Sequence, residues 1–441
     1  MANHLLSYLK CPFYKGSFGA SVLTISTGIA IGQGLAIAAS PIITRLYVPA
    51  DFGVLEVYGS LLAIFVEAAS WKYEGAILLP ESDIMAANVF ALCMVIVLIM
   101  TGFTGFLTWI LGSKLLAFVK AQAMGPYIWL LPVGVLGAGT YQVLNFWGIR
   151  QKAFGTIAWT KISQNVGKVT AMIGLGSFGM GPAGLLVGTI AGQCSGSTRL
   201  AISAWRKDKH SFRLIEVRRG LEVLQRYKKF PFFTLGAQLL HTLGKRVPYL
   251  LLAANYGLYV VGWFALAQWI IGTPISLIGA SVAQVYMGEL THLNRQSPEG
   301  IRGLFFNTLK MLSLIALAIV LLIFFVAPLL VPLVFGREWR ETAVYMQVLS
   351  FMFAFELISY PLMGTVDFLN CQGLGLAREI LRAILMIGAI PLAAALKQPA
   401  VVAVLYYGIA SGIVYLFGLA LSWYAIKMHN AALVERSADQ I

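Results

Sequence analysis

Five stretches of this chain, residues 84–113, 121–149, 247–288, 311–336 and 398–426, contain no Asp, Glu, Lys or Arg. Each is long enough for one or two helices of about 20 residues, the length that crosses a bilayer. About twelve apolar stretches follow one another along the chain, and they divide into two groups of six at the one heavily basic segment, Arg206 to Lys229. An even number of crossings sends both groups into the bilayer in the same direction. With 59% hydrophobic and 11% charged residues among 441, and a mean hydropathy of +0.80, a soluble globular class is excluded. Backbone groups in lipid must be bonded within their own segment, and these runs far exceed the roughly ten residues of a barrel strand. The expected fold is therefore all-α: a polytopic membrane protein.

The hydropathy pattern places the spans at about residues 17–45, 53–79, 84–112, 125–149, 156–178, 181–204, 231–254, 257–287, 308–335, 342–369, 377–396 and 399–426. This divides the chain into an N-terminal six-helix lobe (1–205), a basic linker (206–229) and a C-terminal six-helix lobe (230–441). Lys10 and Lys15 precede an apolar run that continues to Arg45 without a small-residue cleavage site, so no cleavable signal is expected. The net charge of +14 reflects topology rather than nucleic-acid binding. If both termini are cytoplasmic, 21 of the 32 Lys and Arg residues fall in inside segments, Arg378 and Arg382 among them, against 6 outside and 5 within spans. That bias predicts cytoplasmic termini and a cytoplasmic linker. It also puts Trp339 in an outer loop.

Two local echoes suggest that one half repeats the other. Asp51-Phe52-Gly53-Val54 opens span two and Asn255-Tyr256-Gly257-Leu258 opens span eight, while Gln151 to Gly155 after span four resembles Gln372 to Gly375 after span ten. We read two pseudo-symmetric lobes around a central cavity, related by an axis along the membrane normal.

Four scattered cysteines, Cys11, Cys93, Cys194 and Cys371, form no C-x-x-C pair and read as packing residues. No metal motif, catalytic signature or complete phosphate loop is present, so neither an enzyme nor an ATP-driven pump is expected, and no cofactor. What remains are ionisable residues inside apolar spans, where each charge asks for a partner or for water. In span five Lys161, Gln164, Asn165 and Lys168 share a helical face; in span seven Gln238, His241 and Lys245 do so, followed by Arg246. Acidic faces are expected on span two (Glu56, Ser60, Glu67, Glu74) and on span ten (Glu356, Ser359, Tyr360, Asp367, Asn370). Lys72 and Glu74 also fit a bland reading, as interfacial residues that snorkel to water. Lys245 and Arg246 point about 100° apart, so one is expected in the cavity and the other in an interhelical pair. His241 fits a packing residue as well as a proton carrier. Span six carries Gly184, Gly188, Gly192 and Gly196, a small-residue stripe for close helix packing. Pro248, Pro274, Pro328 and Pro332 mark bends.

Several local motifs together resemble one family: Arg226-Tyr227, Phe230-Pro231, Ala265-Leu266-Ala267, Leu277-Ile278-Gly279 and Gln284-Val285, with Pro248, Gly257, Gly262 and Pro274. To these are added Thr44-Arg45-Leu46, Phe52-Gly53, Tyr73 to Ile77, Gly181 to Leu185 and Phe335 to Trp339. The chain resembles the Wzx-like polysaccharide-lipid flippases of the multidrug/oligosaccharidyl-lipid/polysaccharide exporter superfamily. That resemblance implies a two-lobed transporter of the bacterial inner membrane. It would move undecaprenyl-diphosphate-linked oligosaccharide between leaflets by alternating access, in contact with membrane lipid and with polysaccharide assembly machinery as a candidate partner. On this reading Lys161, Lys168, Lys245 and Arg246, with Gln164, Asn165, Gln238 and His241, bind substrate. Glu67, Glu356 and Asp367 serve gating or coupling to a proton or sodium gradient. The alternatives are a cation-coupled multidrug exporter, which would want predominantly acidic cavity walls, and a membrane-bound sugar polymerase, which would want a large extramembrane loop or an acidic catalytic motif.

Overall fold

The protein is described by a computed structural model over residues 18–228, 230–297, 300–369 and 371–438. Of the residues singled out above, Lys10, Cys11, Lys15, Lys229 and Asn370 lie outside these segments. All regular structure among the described residues is helical. The first lobe holds α1 (Phe18–Leu46), α2 (Pro49–Glu67), α3 (Asp83–Phe118), α4 (Leu130–Arg150), α5 (Phe154–Ser177) and α6 (Pro182–Arg213). The short α7 (Val217–Arg226) follows. The second lobe holds α8 (Leu235–Tyr256), α9 (Leu258–Gln296), α10 (Gly300–Phe335), α11 (Arg340–Phe368), α12 (Gln372–Ala395) and α13 (Ala400–Ala438). Each expected span thus has its long helix. α8, α9 and α10 run on through Pro248, Pro274, Pro328 and Pro332.

Among the described residues, seven helices are long and apolar enough to cross a membrane: α1, α2, α3, α9, α10, α11 and α13. On α10, Leu314, Leu317, Leu321, Phe325, Leu329 and Leu333 are all exposed, as a lipid-facing helix requires. The other five long helices include α5, α8 and α12, which carry Lys161 and Lys168, Lys245 and Arg246, and Arg378 and Arg382. Their charges lower their apolarity and turn them toward the interior of the molecule.

The lobes are built on one packing plan. α1 packs on α5, α5 on α6, α3 on α4 and α4 on α6; the same pairings recur as α8 on α12, α12 on α13, α10 on α11 and α11 on α13. Helix ends repeat as well. Ala153 N–H bonds Gly148 O as Cys371 N–H bonds Val366 O, and Met180 N–H bonds Leu175 O as Gln398 N–H bonds Ala393 O. Each is the six-to-one bond of a Schellman turn, with Lys152, Gly179 or Lys397 at positive φ just before the donor where that residue is described. This corrects the sequence register: Gln151 ends α4 whereas Gln372 opens α12, so the resemblance of those two segments is displaced by three residues. Backbone hydrogen bonds, not side-chain identity, set the correspondence.

The same correction applies where the lobes meet. Pro49 and Leu258 are the first residues of α2 and α9, and Gly53 and Gly262 are the fifth. A Cβ on Gly53 would overlap the Leu258 carbonyl, and one on Gly262 would overlap that of Pro49. Gly53 therefore corresponds to Gly262, not to Gly257, which instead takes positive φ ahead of α9. At this end Trp339 Nε1 donates to Thr44 O at 2.9 Å and its ring meets Phe52 edge-on at 4.8 Å. The sequence expectation of an accessible Trp339 fails, because this indole is 1% exposed and helps seal the two lobes together.

Two boundaries also move. Span two does not continue as one helix to residue 79: α2 stops at Glu67, Trp71 and Lys72 take positive φ, and Tyr73–Leu78 forms a 3₁₀ turn. Glu74 therefore does not share a helix face with Glu56 and Ser60. α6 runs beyond the expected end of span six to Arg213, with a kink at Asp208 whose carboxylate accepts from Trp147 Nε1 at 2.9 Å.

Candidate functional site

Below the sealed end, α8 descends into the interior. Lys245 lies eleven residues before Tyr256, about 16 Å along the axis, and His241 and Gln238 follow toward the opposite end. Lys245, Arg246, Tyr249, Gln268, Glu356 and Arg382 line a recess of about 230 Å³ within the C-terminal lobe. A second recess of about 200 Å³ continues past Lys245, Glu356 and Arg382 to His241, Asp367, Arg378 and Glu379. Four tyrosines, Tyr249, Tyr360, Tyr407 and Tyr415, share these walls. Gln238 is exposed one turn from His241. Ser359 is not part of the lining; it is buried and donates to Tyr415 O at 3.2 Å.

The N-terminal lobe contributes a smaller cleft, about 100 Å³, lined by Lys168 and Glu56 with Ser40, Phe52 and Trp269. The glycine stripe of α6 builds this side. A Cβ at Gly188 or Gly192 would sit 2.6 Å from Met172 or 2.7 Å from the Gln164 carbonyl, so only glycine lets α5 lie this close. Gln164 packs on Gly196, and Asn165 donates to Lys161 O at 2.9 Å. Lys161 stands over the Tyr141 ring at 4.8 Å, within cation–π range. The two clefts adjoin where Arg246 pairs with Glu56 at 3.6 Å, across the lobe boundary. Lys245 and Arg246 both line the recess, so the expected division between them does not hold; Arg246 makes this interhelical pair in addition.

Glu67 belongs to a different cluster. It pairs with Lys72 and accepts a hydrogen bond from Thr242 on α8 at 3.2 Å, a contact between lobes. The bland reading of Glu74 and Lys72 as snorkelling interfacial residues does not hold. Glu74 is 2% exposed, held by Ser70, by Gln142 Nε2 at 2.8 Å and by Lys72 at 3.8 Å. A buried carboxylate needs such partners; the turn after α2 supplies Ser70 and Lys72, and α4 supplies Gln142.

Sequence reasoning misses Glu379 altogether and assigns Arg378 and Arg382 to an inside loop. All three sit in the second and third turns of α12 and face the recess. The signal is present, a cation–anion–cation set at helical spacing directly before an apolar run, but in the sequence it reads as topology. Among the described residues no group of three His, Cys, Asp or Glu could hold a metal ion.

Residues 42–344 match the model of a family described as polysaccharide biosynthesis protein. The chain belongs to that family. No curated protein matches its sequence. Among solved structures it resembles an inward-facing multidrug resistance MATE family transporter of the MOP superfamily, at 18% identity and a TM-score of 0.68, over 94% of this chain and 99% of that one. It also resembles the lipid II flippase MurJ in an inward closed conformation, at 15% identity and 0.64, over 92% and 87%. A MOP superfamily transporter from Pyrococcus furiosus described as having a binding pocket of reverse polarity aligns at 15% and 0.53, over 92% and 95%. These likenesses establish the fold, that of the MOP superfamily transporters.

Proposed function

We propose that the protein is a flippase, not an enzyme, that moves an undecaprenyl-diphosphate-linked oligosaccharide across the bacterial inner membrane by alternating access. The observation that carries this reading is the placement of Lys168 and Lys245 on the walls of interior clefts between largely apolar helices. A diphosphate leaving water needs compensating charge, and cations in a low-dielectric cleft supply it. Tyrosines beside the cations offer flat faces and hydroxyls to a glycan. The family is one of polysaccharide biosynthesis, and one protein of the same fold is a lipid II flippase, which supports a lipid-linked cargo.

With cytoplasmic termini, the end sealed by Trp339 and the α2/α9 crossing faces outward, so the state described here is the one that loads from inside. Outward movement of negative charge across an inside-negative membrane is favoured by about 2.3 kcal/mol per charge per 100 mV. Glu67, Glu356 and Asp367 are the candidates for coupling to protons or sodium, Glu67 because it bridges the lobes through Thr242. Cationic drug export is the second reading, favoured by the fold shared with a multidrug transporter; the cations on the walls argue against it.

The test is delivery of lipid-linked glycan to the outer leaflet in cells lacking the native protein. A well-expressed Lys168→Ala/Lys245→Ala variant should lose at least tenfold in delivery, whereas Lys→Arg at both sites retains most of it. Full delivery by the alanine variant would remove the anion-binding role.

A further inference from the structure

The two arginines of the C-terminal recess, Arg378 and Arg382, are paired. Arg378 donates from Nε and Nη2 to Glu379 Oε1, at 3.2 and 3.0 Å, and Arg382 Nη1 donates to Glu379 Oε2 at 3.3 Å. His241 Nδ1 lies 3.6 Å from that same Oε2. Adjacent residues on a helix point about 100° apart, so Arg378 reaches its neighbour only by folding its side chain around toward the recess. Two guanidinium groups on one carboxylate form the donor set that also recognises a phosphate or a sugar carboxylate. Glu379 is only 24% exposed, and both arginines line the same recess as Lys245.

The counterpart helix of the other lobe gives the contrast. The shared turn that pairs Ala153 with Cys371 puts Lys161 at the place of Glu379 and Gln164 at the place of Arg382. There a cation rests on an aromatic ring; here an anion is clasped by cations.

We infer that Glu379 is a resident substitute for the cargo's anion: in the empty protein it occupies the Arg378/Arg382 site, and an incoming diphosphate or acidic sugar displaces it. The resident carboxylate keeps the two arginines paired while the recess is empty. It also lowers their affinity for any anion, which must compete with a tethered ligand. Displaced, it stays beside His241 on α8 and leaves Arg378, Arg382 and Lys245 facing the cargo. Release is helped when the carboxylate returns. This rests on the reading of the cleft as an anion-carrying path, and it adds a role for one residue in making that path reversible.

The experiment titrates the purified full-length protein in detergent with inorganic diphosphate and, in parallel, with glucuronate, for wild type, Glu379→Gln, Glu379→Ala and Glu379→Gln/Arg382→Ala. Folding is checked by thermal unfolding of each. Removing the competing carboxylate should tighten binding of at least one anion about tenfold, close to 1.4 kcal/mol, and the added Arg382→Ala should abolish that gain. A structural role alone would weaken binding or leave it unchanged. Tighter glucuronate without tighter diphosphate keeps Glu379 as the substitute but moves the anion from the lipid linker to the glycan. Unchanged or weaker binding of both anions in a folded Glu379→Gln or Glu379→Ala protein overturns the inference, while a delivery defect in Lys168→Ala/Lys245→Ala would still stand for the flippase reading.

Discussion

The N-terminal lobe sets Lys161 over the neutral Tyr141 ring and Lys168 in a largely apolar cleft with one carboxylate, Glu56, whereas the C-terminal lobe sets Arg378 and Arg382 against Glu379 and lines the recess with Glu356 and Asp367 as well. The helices that do this occupy equivalent places in two lobes with the same packing plan. The two lobes therefore share a backbone frame but differ in the charges placed on it. Close packing constrains the frame: at Gly53 and Gly262, where α2 meets α9, and at Gly188 and Gly192, where α6 meets α5, a side chain larger than hydrogen has nowhere to go. Cavity walls face no such constraint, because water or cargo fills the difference.

The comparison can be broken most completely at the level of topology. If an axis along the membrane normal relates the lobes, the α3–α4 turn at Lys120 and the α10–α11 turn at Arg337, both exposed, lie on one side of the membrane. Cysteines placed at both should react with an impermeant maleimide in intact cells, while His210→Cys in the linker should stay unmodified. Reaction at one turn and protection of the other would end the two-lobe symmetry.

Next in size is the crossing of α2 and α9. Gly53→Leu and Gly262→Leu each force a side chain into the partner's carbonyl, so both should lower thermal stability by an amount typical of overpacking, about 1–3 kcal/mol, and by similar amounts. A severe loss in one with a silent substitution in the other would show that the two contacts are not equivalent.

A smaller effect is expected from Glu67→Gln, which keeps the shape but weakens the pair with Lys72 while Thr242 can still bond the amide oxygen. Delivery should fall severalfold, by about 0.5–1.5 kcal/mol for one such interaction, with membrane insertion intact. Normal transport across a range of proton and sodium gradients would make Glu67 a structural partner of Lys72 only.

Much of this architecture is legible in the sequence because bilayer thickness fixes span length. The interior lysines are legible too, since a charge in an apolar helix requires either a partner or water. Three things are hidden. The break at Trp71 and Lys72 has no Gly or Pro to announce it, and is held by Lys72 pairing with both Glu67 and Glu74. The register between lobes depends on backbone bonds at helix ends that side-chain letters do not record, which is why the sequence echo pairs Gly53 with the wrong glycine. Arg378, Glu379 and Arg382 stand so near the start of a span that their number suggests a loop, and only their mutual contacts reveal a recess.

The central claim, that the two lobes must part at their sealed end to deliver cargo, has one direct measurement. Phe52 and Trp339 face each other across that seal. A Phe52→Cys/Trp339→Cys variant, with the native cysteines replaced, can be tied by a short cleavable bismaleimide and assayed for delivery of lipid-linked glycan before and after the linker is cut. The account predicts delivery by the untreated variant, its loss on cross-linking and its return on cleavage. Undiminished delivery by the fully cross-linked protein would contradict it.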